Sequence, residues 1–172
     1  MPIYISENAF ITLTLSAIET STRYESTGLL LGHQSKDMFY VEEVIPYQLA
    51  ERTANSVSVP SSRQNRMRRV FKNYMKYKII GEFHTHPDAS PRLSNGDKNW
   101  IRRNGYELEI VVAIRKRKEE KRSHWRYKNK LLSGSIDRYF IEIACWRVQD
   151  DKVAKLRIRC PFAVGFGFSK PI

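Results

Sequence analysis

Cysteine is scarce in this chain. Its 172 residues include two, Cys145 and Cys160, and they do not form a C-x-x-C pair. That argues against a disulfide-framework secreted protein and against a cysteine-rich zinc finger. Long apolar runs are lacking as well. Stretches such as Ile110–Ile114 fall far short of the roughly 20 residues that a membrane-spanning helix needs. The opening Met-Pro-Ile-Tyr-Ile-Ser-Glu does not show the basic and then apolar pattern of a secretory leader. A reduced, cytoplasmic setting with no membrane association is therefore the expectation. No repeat or linker composition is visible, and the length suits one domain over 1–172 with enough core to fold without staples.

Negative charge is also in short supply. Eighteen Asp and Glu face 30 Lys and Arg, a formal net charge of +12. The surplus sits in two segments. Residues 61–80 hold Arg63, Arg66, Arg68, Arg69, Lys72, Lys76 and Lys78 with no acidic residue, and 115–130 is similarly basic with only Glu119 and Glu120 against it. The remainder is nearly neutral. Such patches call for an acidic partner: an acidic protein, with nucleic acid as the second reading.

The periodicities predict an α/β chain, a single mixed sheet flanked by helices. Ser6 to Tyr24 reads as a helix capped by Ser6, with Ile11, Leu15 and Ile18 as its apolar stripe. Gly28–Gly32 reads as a buried strand and Phe39–Ile45 as its hairpin partner. Residues 46–60 read as irregular, with a short extended stretch near Val57–Val59. A helix over 61–77 would bury Met67, Val70, Phe71, Tyr74 and Met75. Lys78–His86 reads as a strand, Pro87–Leu93 as a loop, Ser94 as the start of a helix that Asn104-Gly105 ends, and Glu107–Ile114 as a strand. The segment 115–133 reads as a mobile basic insertion. Tyr139–Trp146 and Lys152–Ile158 read as a closing hairpin. The tail 161–172 stays unassigned, with Ala163–Phe168 readable as a final strand or as a cover over a groove.

The informative stretch is Gly-Glu-Phe-His84-Thr-His86-Pro followed by Ser94-Asn-Gly-Asp97. Residues two apart on a strand share a face, so His84 and His86 can aim their rings at one point. Asp97 falls in the first turn of a helix, and a His, His, carboxylate set with water in the fourth position is the donor set of catalytic zinc. Ser94-x-x-Asp97 is also a capping box, so the same carboxylate can serve the helix start. Chemistry at such a metal needs a base. Glu82, on the same strand face as the histidines, and Glu25, just before the Gly28–Gly32 strand, are the two candidates, and local spacing favours Glu82. His33 and His124 read as surface residues, Cys145 as a core thiol and Trp100 as a side chain packing its own helix.

This pattern resembles the JAMM metalloproteases, also known as JAB or catalytic MPN domains. A Glu three positions before Gly28-Leu-Leu-Leu-Gly32, then His84-Thr-His86-Pro87, then Ser94 and Asp97, repeats the family motif at the family spacing. The likeness runs from about Tyr4 to Pro161. It implies the JAB/MPN, cytidine-deaminase-like fold. It implies zinc on His84, His86 and Asp97, Glu25 as general acid/base and Ser94 as oxyanion donor, and it leaves Glu82 a supporting or surface role. It implies an isopeptidase or peptidase that cuts after the C-terminal tail of ubiquitin or a ubiquitin-like, sulfur-carrier type protein. The compact size resembles stand-alone prokaryotic members. The insertion at 115–133 and the tail at 161–172 fall outside the usual core, and a JAB-domain protein that associates with nucleic acid or acts as a scaffold is the alternative.

Overall fold

The Gly28–Gly32 run is apolar throughout because both of its faces are covered. In the computed structural model it lies in β2 (Thr27–Gln34). The structure describes all residues except 21–22, 49–50, 53–56, 120–122, 150–151 and 166–172. Leu30 joins a large core with Phe10, Leu13 and Ala17 of α1 (Glu7–Thr20), while Leu29 and Leu31 join a smaller one with Tyr47, Val59 and Phe71 of α2 (Ser61–Tyr74). Strand neighbours alternate in direction, so α1 and α2 cover opposite faces of the sheet.

The sheet is mixed. Its other strands are β1 (Pro2–Ile5), β3 (Phe39–Pro46), β6 (Lys78–Pro87), β7 (Leu108–Lys116), β8 (Arg126–Lys128), β9 (Leu131–Ile136), β10 (Tyr139–Gln149) and β11 (Lys152–Arg159). The short pair β4 (Glu51–Arg52) and β5 (Val57–Ser58) stands apart. The order is β11-β1-β3-β2-β6-β7-β10-β9-β8, with a further pairing of β10 and β11 that brings the sheet round to meet itself. The expected mixed sheet with flanking helices is present, and it is curled rather than open. Pairs β1–β11, β1–β3 and β6–β7 are parallel, and the other pairings are antiparallel.

Several sequence expectations need correction. The first helix does start after Ser6, whose Oγ accepts the Ala9 N–H at 3.1 Å. Its buried face, however, is Phe10, Leu13 and Ala17, while Ile11 and Leu15 are exposed. The ring of Phe10 fills the core instead. On α2, Phe71 is buried and Met67 half-buried, but Val70 and Met75 face solvent. The segment 115–133 is no mobile loop where it is described. Trp125 is buried edge-on against Phe10 at 4.8 Å, and β8 and β9 form a hairpin that lengthens the sheet along β10. Arg126, Lys128 and Lys130 are exposed on that hairpin, and the buried tryptophan anchors it. The tail opens as a short helix, α4 (Pro161–Gly165), with Phe162 against Phe10, rather than as a strand; residues 166–172 lie outside the described residues. Cys145 is buried and free, as expected for a core thiol, and so is Cys160. His33 and His124 are exposed. Among the described residues, no helix is long and apolar enough to cross a membrane.

Candidate metal centre

Strand β6 sorts its side chains by parity. Phe83 points into the large core, whereas Glu82, His84 and His86 point to the α2 side. Register carries the pattern to the neighbouring strands: Thr27 pairs with His84 on β2, and Glu109 pairs with Glu82 on β7. α3 (Asn95–Asn104) then delivers its first turn to the same place. Its Ser94 N-cap accepts the Asp97 N–H at 3.1 Å, and Asp97 Oδ2 accepts the Ser94 N–H at 2.6 Å. The capping box is formed in full. The same Oδ2 lies 3.6 Å from His84 Nε2 and 3.9 Å from His86 Nε2, and the two Nε2 atoms are 2.9 Å apart. Helix capping and ligand presentation are one arrangement.

The ring orientations fit a metal. His84 Nδ1 donates to Glu109 Oε1 at 2.6 Å, and His86 Nδ1 donates to the Ser90 carbonyl at 3.0 Å. With both Nδ1 atoms committed as donors, each ring faces Asp97 with its Nε2, the nitrogen that can ligate once it carries no proton. Four-coordinate zinc with bonds of ~2.0–2.1 Å needs donors roughly 3.3 Å apart. The three observed separations bracket that distance. Burial works against a charged His84, but hydrogen bonds to Asp97 and Glu109 outweigh it and hold its pKa up at about 10. Burial would raise Asp97, yet its contacts with His84 and Ser94 hold it well below the usual carboxylate range. The carboxylates of Asp97 and Glu109 stabilise positive charge here, and a divalent cation would take the place of the His84 Nε2 proton.

Glu25 is brought to the centre by Thr85, the residue between the two histidines. Ser26 N–H donates to Thr85 Oγ1 at 2.7 Å, and Thr85 N–H donates to the Ser26 carbonyl at 2.8 Å. That pair of hydrogen bonds pins the chain before β2 against the His84-Thr85-His86 backbone, so Glu25 lines the same cleft as the donors. Burial raises its pKa, and Asp97 adds to the rise while His84 opposes it. The cleft holds about 360 Å³ and is lined by Glu25, His84, His86, Ser94 and Asp97 together, the five residues singled out in the sequence.

Other residues of the cleft were misread or missed. Glu82 is no surface acid: it is 2% exposed and takes the Trp100 indole N–H at 2.8 Å. Burial lifts its pKa to about 7 against the pull of that hydrogen bond. Trp100 therefore lines the cleft instead of packing its own helix. Arg68 leaves the basic face of α2, approaches Glu82 at 3.9 Å and binds Tyr106 and Asn104. Glu109 escaped notice, although one signal was present: it is the single charged residue in the run Leu108–Ile114, and a charge inside a buried strand needs a partner. Thr85 carried no signal at all.

Comparison with known proteins agrees with this geometry. The family described as JAB1/Mov34/MPN/PAD-1 ubiquitin protease matches residues 2–102, from β1 to α3 and including Glu25, His84, His86, Ser94 and Asp97. The chain belongs to the JAB/MPN family. The solution structure of protein DSY2949 from Desulfitobacterium hafniense superposes with a TM-score of 0.58 at 18% identity, covering 98% of this chain and 99% of that one. That likeness extends the shared fold through β7–β11. No curated protein matches the sequence.

Proposed function

We propose that the protein is a zinc-dependent isopeptidase or peptidase that cuts after the C-terminal tail of ubiquitin or a ubiquitin-like protein, within one domain spanning the chain. The observation that carries this reading is the convergence of His84 Nε2, His86 Nε2 and Asp97 Oδ2 in a cleft that Glu25 also lines. His84, His86 and Asp97 would hold the zinc, which supplies Lewis acidity toward a carbonyl oxygen and a water. Glu25 takes the proton from the attacking water and passes it to the departing amine; its raised pKa brings it closer to the range where both transfers are feasible. Ser94 Oγ accepts from the Asp97 N–H, so its own O–H is free to donate to the oxygen that becomes negative in the transition state. Glu109 and the Ser90 carbonyl keep both imidazoles in the ligating tautomer.

The test is zinc stoichiometry by elemental analysis, followed by hydrolysis of ubiquitin-like fusions and conjugates read by mass spectrometry. Glu25→Gln should keep the metal and lower turnover by about 10²–10⁴-fold. Unchanged turnover in a zinc-replete Glu25→Gln variant would refute the mechanism.

A further inference from the structure

We propose that a basic furrow leading away from the metal-ligand loop is the docking groove for an acidic polypeptide segment with an apolar residue at its centre; this rests on the protein-tail reading above. The furrow exists because the sheet forks. Along one edge of β10, residues Tyr139–Ala144 pair with β9 and Cys145–Gln149 pair with β11. Where those partners part, a hollow of about 560 Å³ opens between the β8–β9 turn and Arg157–Arg159 of β11. Lys128, Lys130, Arg157 and Arg159 line it, and among the described residues no acidic one does.

A second hollow, of about 640 Å³, shares Asn129 and Leu131 with the first and reaches Ser90–Leu93. That loop joins His86 to Ser94, and its Ser90 carbonyl holds the His86 ring. The furrow therefore ends at the loop that carries the His86 partner. The floor here is apolar, with Trp146, Val153, Leu131 and Leu93, and the rim carries Arg92, Lys98 and Lys155. Trp146 ties floor to loop through its indole N–H on the Pro91 carbonyl at 3.3 Å. Glu142, the one acid lining this hollow among the described residues, is already paired with Arg115.

Charge and shape together select the occupant. Partly buried Lys155 has its pKa lowered, by burial first and then by Arg92 and Lys130, with Glu142 opposing. Cations this crowded gain from a facing anion. Phosphates need only the cations, but an apolar floor ringed by charge is the anatomy of a protein interface, with an anchor at the centre and a polar rim. That favours an acidic polypeptide over nucleic acid.

The test is fluorescence anisotropy with the full chain, using a labelled peptide of roughly 12 residues, glutamates around two central leucines, at ~50 mM salt. An all-glutamate peptide and an oligothymidylate of equal length are the comparisons. The leucine-containing peptide should bind several-fold tighter than either, and about tenfold more weakly at ~300 mM salt. The exposed-residue variant Lys128→Glu/Arg157→Glu/Arg159→Glu should lose about tenfold or more in affinity while keeping wild-type zinc content and unfolding midpoint. Tighter binding of the oligothymidylate, equal binding of the all-glutamate peptide, or an unaffected triple variant would each overturn the proposal. Because binding is read without turnover, an inactive centre with a peptide-binding furrow refutes the hydrolase reading alone, and an active centre with no peptide binding refutes the furrow alone.

Discussion

Glu109→Gln changes one buried hydrogen bond and almost no volume. His84 Nδ1 lies 2.6 Å from Glu109 Oε1, and the two residues are 8% and 3% exposed. A carboxylate can only accept, so it forces the proton onto Nδ1 and leaves Nε2 to ligate. An amide can accept or donate. With its NH₂ turned toward the ring, the substituted amide would drive the proton to Nε2 and block the ligand position. Turned the other way, it offers a neutral acceptor, about half as strong as a charged one. Loss of a partner of this kind typically costs 10–100-fold in metal affinity, or about 1.4–2.8 kcal/mol. Zinc affinity measured by competition with a fluorescent chelator should fall by that amount. The fold should persist in chelator, because the substitution removes a buried charge and opens no cavity. Zinc affinity within ~2-fold of wild type, with an unchanged unfolding midpoint, would refute the assignment of Glu109 as the residue that sets the His84 tautomer.

Three further outcomes follow from packing. Gly81→Ala would place a Cβ 2.3 Å from the Leu108 carbonyl oxygen and 2.7 Å from its Cβ. The parallel β6–β7 backbone cannot yield cheaply, so urea unfolding should show a loss of roughly 2–4 kcal/mol. Trp125→Ala should cost about 3–5 kcal/mol in the same assay, because the indole is buried against Phe10; a cost near zero would restore the mobile-loop reading of 115–133. Both thiols should resist Ellman's reagent near pH 8 and react only after unfolding, since burial pushes Cys145 up strongly and Cys160 to about 11.

The donor set was legible because its parts are local. His84 and His86 share a face by strand parity, and Ser94 and Asp97 meet by helix capping, so each pair is fixed within four residues. The choice of base was not local. Spacing favoured Glu82, and nothing in the pattern itself points to Glu25; only the family resemblance did. The two hydrogen bonds between Ser26 and Thr85, 59 positions apart, are what bring Glu25 to the cleft. Helix faces were the weaker part of the reading. On α1 the stripe Ile11, Leu15, Ile18 and the stripe Phe10, Leu13, Ala17 both have helical spacing, and packing against the sheet selects between them.

The net charge shows the same division. Composition alone required a surface rich in cations and called for an acidic partner. It located them by segment, in 61–80 and 115–130, because a linear chain offers no other coordinate. The fold redistributes them. Arg68 turns inward to Glu82, and Lys128 and Lys130 join Arg92, Lys98, Lys155, Arg157 and Arg159 along a furrow that no segment contains. Side-chain chemistry and short-range spacing are properties of the sequence, whereas long-range register, strand pairing and the fork in the sheet arise only when distant segments pack. The candidate metal-donor set was therefore readable in advance, whereas the pairing of His84 with Glu109, the placement of Glu25 by Thr85 and the furrow, which depend on packing between distant segments, were decided by the tertiary structure.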